Sequence, residues 1–145
     1  MFKKLLIILL AFATTKTFAQ KQTYTSTSSR AIKNLEQALK YYDSRQTTKA
    51  ITEAENAIKA DPGFIEAYML LGDLHADNNN LPAAIEAYKK AVAVNPRFFP
   101  NNLYALGRYE LELGKYDDAL QHFNEFVKME TAKPEKKEEA KNLIA

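Results

Sequence analysis

Several residues of this chain recur at a fixed interval. Pro62 and Pro96 are 34 apart, each behind a short polar residue, Asp61 and Asn95, and the pairs Ala50/Ala84 and Ala57/Ala91 have the same spacing. Ala84 to Ala119 and Gly72 to Gly107 are each 35 apart, which places one inserted residue between Pro96 and Gly107, in Arg97-Phe98-Phe99-Pro100. Such a period assembles a chain from small units, none of which buries its apolar face alone, so neighbours must stack. The 145 residues therefore count modules and do not specify one globular core.

Within a unit the apolar residues repeat at spacings of three and four, the signature of helices and not of strands. In the second unit Tyr68, Leu70, Leu71 and Leu74 form one stripe, and Ala84, Ala87, Tyr88 and Ala91 form its partner. Turn-formers separate the two helices of each unit: Asp43-Ser44-Arg45, Asn78-Asn79-Asn80 and Gly114-Lys115. Asn79 and Gly114 hold the same place in the turn, where a left-handed backbone is expected and both residue types tolerate it. Pro82 follows at a first-turn position, where no backbone donor is needed.

These residues together resemble the tetratricopeptide repeat family. The second unit matches at Tyr68, Leu71, Gly72, Ala84, Tyr88, Ala91 and Pro96, and the third at Leu103, Leu106, Gly107, Gly114, Tyr116, Ala119 and Phe123. The first matches at Ala38, Tyr41, Ala50, Ala57 and Pro62, and departs at Asn34, Gln37 and Ala54, where the family places larger apolar residues. The resemblance implies an all-α fold: a short right-handed α-solenoid of three helix-turn-helix repeats over 31–133 (about 31–64, 65–98 and 99–133), with a C-terminal capping helix over 134–145. Its packing is expected to use Gly72 and Gly107 as close-approach points with Ala84 and Ala119 facing them. Tyr88, Ala91 and Phe123 would fill the space around each contact.

The resemblance also implies a function. Stacked helical pairs present a concave side, lined by first helices, that holds a protein or peptide partner. Groove candidates are Leu35, Leu39 and Tyr42 in the first unit, Glu66, Met69, Asp73 and Asp77 in the second, and Asn101, Tyr104, Arg108 and Glu112 in the third. Leu35, Leu39, Tyr42, Met69 and Tyr104 suit a hydrophobic anchor, while Asp73, Asp77 and Glu112 suit a basic neighbour. Family members that grip the C-terminal carboxylates of chaperones use Lys, Asn and Arg on successive first helices. Here Leu35, Leu39 and acids stand at matching positions and only Arg108 fits, so that clamp is not expected.

Residues 1–19 read as a secretory signal: Lys3 and Lys4, an apolar run from Leu5 to Ala13, then small residues up to a cut between Ala19 and Gln20. The run is too short for a bilayer, which takes roughly 20 residues, so no transmembrane span is expected after cleavage. Lys3, Lys4 and Lys16 leave with it, so 20 basic residues become 17 against 18 acidic ones, a formal charge of −1. That balance argues against a nucleic-acid binder. Residues 20–30, rich in Ser and Thr, read as a flexible leader, with Ser28 or Ser29 placed to cap a first helix. The absence of Cys suits an oxidising compartment and excludes disulfide scaffolds, thiol nucleophiles and Cys-type zinc sites.

No catalytic arrangement is legible. His75 and His122 lack metal-ligand spacing, the first placed for packing and the second as a solvated neighbour of Phe123. The four Gly are isolated, so no phosphate loop exists, and Ser and Thr concentrate in the leader away from any base. The chain is expected not to be an enzyme and to need no cofactor or metal.

At the C-terminus Ala140, Leu143 and Ile144 share one helical face that would cover the last repeat, and Phe126 stands where a small residue would receive a following one. Signal, polar leader, three repeats and the ending AKNLIA are similar to the N-terminal part of Gram-negative envelope proteins that continue into a β-propeller and an outer-membrane-protein-A-like, peptidoglycan-binding domain. This similarity implies an exported protein of the periplasm or outer membrane, a protein-interaction module in an outer-membrane or peptidoglycan-associated assembly. The alternative is a structural spacer, or the N-terminal piece of a larger assembly protein, without a peptide ligand of its own.

Overall fold

The structure, a computed structural model, describes residues 23–145. The expected signal segment lies outside the described residues. Seven helices and no strand occur among them: α1 (Ser29–Asp43), α2 (Thr47–Ala60), α3 (Ile65–Asp77), α4 (Leu81–Val94), α5 (Asn101–Glu112), α6 (Tyr116–Lys128) and α7 (Pro134–Leu143). None of these helices is long and apolar enough to cross a membrane. They pair as α1 with α2, α3 with α4 and α5 with α6, and each pair packs on the next, so the all-α solenoid read from the sequence is the observed architecture.

The turns that fold each pair share one design. Arg45 (φ 57°), Asn79 (φ 57°) and Gly114 (φ 71°) are left-handed at equivalent places. The residue after each donates back across the helix end, Gln46 to Tyr41, Asn80 to His75 and Lys115 to Glu110, all at 2.8 Å. This is the Schellman closure, which satisfies carbonyls the helix would otherwise leave open. Arg45 is the unexpected member, because a β-carbon disfavours this conformation. Two helix starts carry side-chain caps: at α1 the Ser28 hydroxyl accepts from the Ala31 N–H at 3.2 Å, and at α4 the Asn80 side chain accepts from the Ala83 N–H at 3.4 Å.

Gly72 and Gly107 are contact points, but their partners differ from those expected. A β-carbon on Gly72 would lie 2.7 Å from the Tyr88 ring, and one on Gly107 would lie 2.9 Å from the Phe123 ring. The glycine notch thus receives a ring one helical turn beyond Ala84 or Ala119, because only a flat side chain reaches across from the second helix into so shallow a recess. Ala84, Ala91 and Ala119 are buried beside it. In the first repeat Ala38 and Ala54 occupy the two positions, both fully buried. The glycine has gained a methyl group and the ring has shrunk to one, so the departure seen in the sequence is a reciprocal change of volume.

Burial is serial. One cluster lies under α1, α2 and α3, a second joins Ile85 and Tyr88 to Leu106, and a third gathers Leu103, Tyr104, Phe123 and Phe126 beneath Ala140 of α7. Each is a repeat junction, as stacking requires.

One expectation is corrected here. The segment before α1 is docked from Tyr24 onward, not flexible. Tyr24 meets Phe64 edge-on with centroids 5.8 Å apart, the Thr25 N–H donates to Glu66 Oε1 at 2.9 Å and its hydroxyl to Oε2, and Ser26 donates to Asp61 at 2.5 Å. Thr25 Oγ1 in turn accepts from the Ile65 N–H at 3.2 Å, so Thr25 and Ser26 find polar partners beside one aromatic anchor. At the inserted segment Phe98 and Phe99 are both exposed, whereas Phe64, 35 positions before Phe99, is fully buried and meets Tyr24.

Candidate partner-binding face

The first helices place a band of acids and phenols on one side of the stack. Near the end of α1 the Tyr42 hydroxyl donates to Asp77 of α3 at 2.6 Å, and the Tyr88 hydroxyl of α4 donates to Asp73 of α3. Tyr109 of α5 continues the band, its ring centroid 5.9 Å from that of Tyr88. Asp73 and Asp77 are four residues apart and share a helix face, so two negative charges stand together with a phenol on each.

This neighbourhood tunes its own groups. The bond to Asp77, together with burial and the charges of Asp77, Asp73 and Asp43, pushes the Tyr42 hydroxyl up to about 12. Burial raises the Tyr88 hydroxyl, helped by its bond to Asp73. Asp73 is exposed as a residue, yet its carboxyl sits against the Tyr88 hydroxyl. Desolvation raises its pKa, the hydrogen bond from Tyr88 opposes the rise, and the charge of Asp77 adds to it. Tyr109 is raised by burial and by the charge of Asp73, against the pull of Arg108. The phenols remain neutral donors, and the acids form a negative surface framed by ring faces, suited to a cation that also wants aromatic contact.

The expected groove residues divide into three groups. Asp73, Asp77, Arg108 and Glu112 are exposed on first helices, and Leu39, Tyr42, Met69 and Asn101 are half-buried there. Glu66 is half-buried and already engaged by Thr25. Leu35 and Tyr104 do not line a groove: Leu35 packs in the first core, and Tyr104 lies under α7, 5.4 Å from the Phe126 ring with the Lys136 ammonium 4.3 Å over its face. Both read as groove positions because one helix face was assumed to stay open, and the terminal helix α7 closes it over Tyr104.

The sequence also missed a buried ionic group. Glu110 of α5 is fully buried, its Oε2 2.6 Å from His122 Nδ1 and its Oε1 3.5 Å from Lys89 Nζ of α4. His122 is therefore a partner of a buried carboxylate and not a solvated neighbour of Phe123. A carboxylate acceptor fixes the hydrogen on Nδ1. Acids in the interior of a helical stripe are the signal that marks such a site, and Glu110 stands three residues after Gly107 on that stripe. His75 is half-buried at the end of α3.

The tetratricopeptide repeat family model matches residues 35–102 and 104–141, most of the chain and part or all of every helix. The chain belongs to the tetratricopeptide repeat family. Over 79 residues it is 35% identical to anaphase-promoting complex subunit 3 of Schizosaccharomyces pombe, covering 54% of this chain and 12% of that protein. Over 85 residues it is 29% identical to protein bimA of Emericella nidulans, covering 59% of this chain and 10% of that one. The chain thus spans about a tenth of these relatives' length.

Solved structures share the repeat fold at low identity. The first repeat domain of Spaghetti (RPAP3) bound to the HSP90 peptide SRMEEVD superposes with a TM-score of 0.70 at 19% identity, over 80% of this chain and 91% of that one. The N-terminal domain of stress-induced protein-1 from C. elegans gives 0.72 at 20%, over 79% and 94%. The Yersinia enterocolitica type III secretion chaperone SycD with a peptide of the translocator YopD gives 0.67 at 16%, over 78% and 88%. At these identities the likeness is one of fold. The family fold is a protein-interaction scaffold, and nothing in these comparisons points to an enzyme.

Proposed function

We propose that the protein is an exported, non-enzymatic interaction module of the cell envelope that holds a partner segment across its first helices. The carrying observation is the pair of phenol-bonded acids, Tyr42–Asp77 and Tyr88–Asp73, with Tyr109 beside them. The partner segment is one that inserts a Lys or Arg side chain between these rings and acids, with Met69 and Leu39 taking an apolar neighbour. Solved relatives that hold the HSP90 and YopD peptides support the use of this fold for peptides, and the acids at Asp73 and Asp77 favour a basic side chain over a carboxylate end. Export is supported by the N-terminal run after Lys3 and Lys4.

The test is an array of envelope-protein peptides probed with the purified protein and with Asp73→Asn/Asp77→Asn. The expected outcome is a set of basic peptides whose binding weakens at least about tenfold in the double variant and with rising salt. Equal binding by both proteins, or a preference for acidic peptides, refutes the groove reading. Mass spectrometry of protein recovered from an exporting host is expected to show Gln20 as the first residue, and a retained Met1 refutes export.

A spacer without its own ligand is the second reading. It is favoured by the burial of Leu35 and Tyr104, which removes two expected apolar anchors from the face.

A further inference from the structure

Asp73 and Asp77 carry charge that the chain itself does not neutralise. No ion pair within 4.0 Å among the described residues includes either acid. Each instead has one oxygen committed to a phenol, Asp77 Oδ2 to Tyr42 and Asp73 Oδ1 to Tyr88. Asp77 Oδ1 and Asp73 Oδ2 are left as acceptors on two carboxylates that share a helix face. Tyr88 is 4% exposed and serves as a donor, while Tyr42 and Tyr109 are half-buried on α1 and α5, the first helices before and after α3. The Tyr109 ring is held by its contact with Tyr88, 5.9 Å between centroids and 34° between planes. The charges of Asp73 and Asp77 reach the hydroxyls of Tyr42, Tyr88 and Tyr109 alike, so the five residues form one neighbourhood.

Resting on the reading of this face as a site for a basic partner, we infer that it selects an arginine side chain over a lysine, with the guanidinium bridging Asp73 and Asp77 and lying against the Tyr109 ring. Three features favour that group. Its donors spread along a planar fork, so one guanidinium bonds two carboxylates that each have one oxygen to give, whereas the donors of an ammonium radiate from a single nitrogen. Its flat face stacks on a ring, and Tyr109 supplies one already set beside the acids. It is the more weakly hydrated cation, which matters beside a carboxyl on which desolvation already acts, as at Asp73. Arg108, the exposed basic residue next to Tyr109, pulls on that phenol but pairs with neither acid, so both remain open to a partner's cation.

Capped pentapeptides, acetyl-Gly-Ser-Arg-Ser-Gly-amide and its lysine counterpart, test the choice of cation, with binding read from the backbone amide signals of Asp73, Asp77 and Tyr109 in NMR spectra of the full chain. The arginine peptide is expected to have a dissociation constant at least about fivefold below that of the lysine peptide. Replacing its arginine by citrulline, which is flat but uncharged, is expected to raise that constant at least about tenfold. Tyr109→Leu is expected to bring the two basic peptides within about twofold of each other, and Tyr109→Phe to keep the preference, a pattern that a general loss of structure would not produce. Equal binding of the arginine and lysine peptides, both weakened by Asp73→Asn/Asp77→Asn, overturns the inference and leaves the basic-partner reading standing. A preference for arginine that survives Tyr109→Leu overturns it as well, since the selection then lies elsewhere. No binding by either peptide overturns the inference and the reading together.

Discussion

Replacing Gly72 by alanine tests the packing rule that organises the repeats. In an open helix the change would stabilise by about 1 kcal/mol, because glycine is the poorer helix former. The structure reverses that sign. The new β-carbon would lie 2.7 and 2.8 Å from two ring carbons of Tyr88, and the ring cannot swing away freely because its hydroxyl is bonded to Asp73 and its other side meets Tyr109. Overpacking of this kind costs about 1–3 kcal/mol, and the phenol bond adds about 1 kcal/mol if the ring moves off Asp73. The net expectation is a loss of about 1–3 kcal/mol, seen in thermal unfolding as a Tm about 4–10 °C lower for a stack of this size. Tyr88→Ala alone is expected to cost about 3 kcal/mol as a buried aromatic truncation. The double variant Gly72→Ala/Tyr88→Ala recreates the Ala38/Ala54 pair of the first repeat, so it should be more stable than the sum of the single losses by at least about 1 kcal/mol, a coupling that a double-mutant cycle measures. A Gly72→Ala variant more stable than the parent, or strict additivity in the cycle, refutes the notch-and-ring account.

Three other outcomes follow from single contacts. His122→Ala removes the hydrogen-bonded partner of the fully buried Glu110 and is expected to cost about 3 kcal/mol by urea unfolding, whereas Lys89→Ala, at a half-exposed partner, should cost under about 1 kcal/mol. Arg45→Gly relieves a left-handed arginine and is expected to raise stability by about 1 kcal/mol, against a loss for the same change at a right-handed surface site such as Lys40. Tyr42 holds its proton up to about 12 in the folded chain, so between pH 10 and 12 the unfolded chain binds fewer protons and stability falls as pH rises. Tyr42→Phe should flatten that part of the profile measured by chemical unfolding.

The period of 34 made the helical pairs, the turn positions of Asn79 and Gly114 and the glycine notches legible, because each depends on residue types that recur in register. What escaped depends on which neighbour comes next in space. Tyr88 and Phe123 were placed near the notch but not in it, since the reach of a ring across two helices is not a spacing along one. Leu35 and Tyr104 were assigned to an open face whose closure is decided by other elements, α7 in the case of Tyr104. The polar stretch before α1 has the composition of a free leader, yet Thr25 and Ser26 find acids at Glu66 and Asp61 that are about forty positions away in sequence. Glu110 and His122 are each ordinary residues for a helix surface, and their pairing exists only because α5 and α6 cross at that level.

Repetition supplies its own control, because the same position can be compared under different neighbours. Phe64 and Phe99 are equivalent residues; the first is fully buried beneath Tyr24 and the second is exposed where no such strap passes. Ile85 and Leu120 differ in the same way, one roofed by Leu106 and the other left beside a cleft. In both pairs residue chemistry is nearly constant while burial changes, so the exposed member cannot be ascribed to a surface-tolerant residue type. An isolated exposed leucine or phenylalanine would call for no explanation. One whose repeat counterpart is core marks the place where the stack expects cover, and α6 has two such positions one turn apart, Tyr116 and Leu120, on a single face. That coincidence sets the beginning of α6 apart from the loop phenylalanines, whose exposure is not gathered on one helix face.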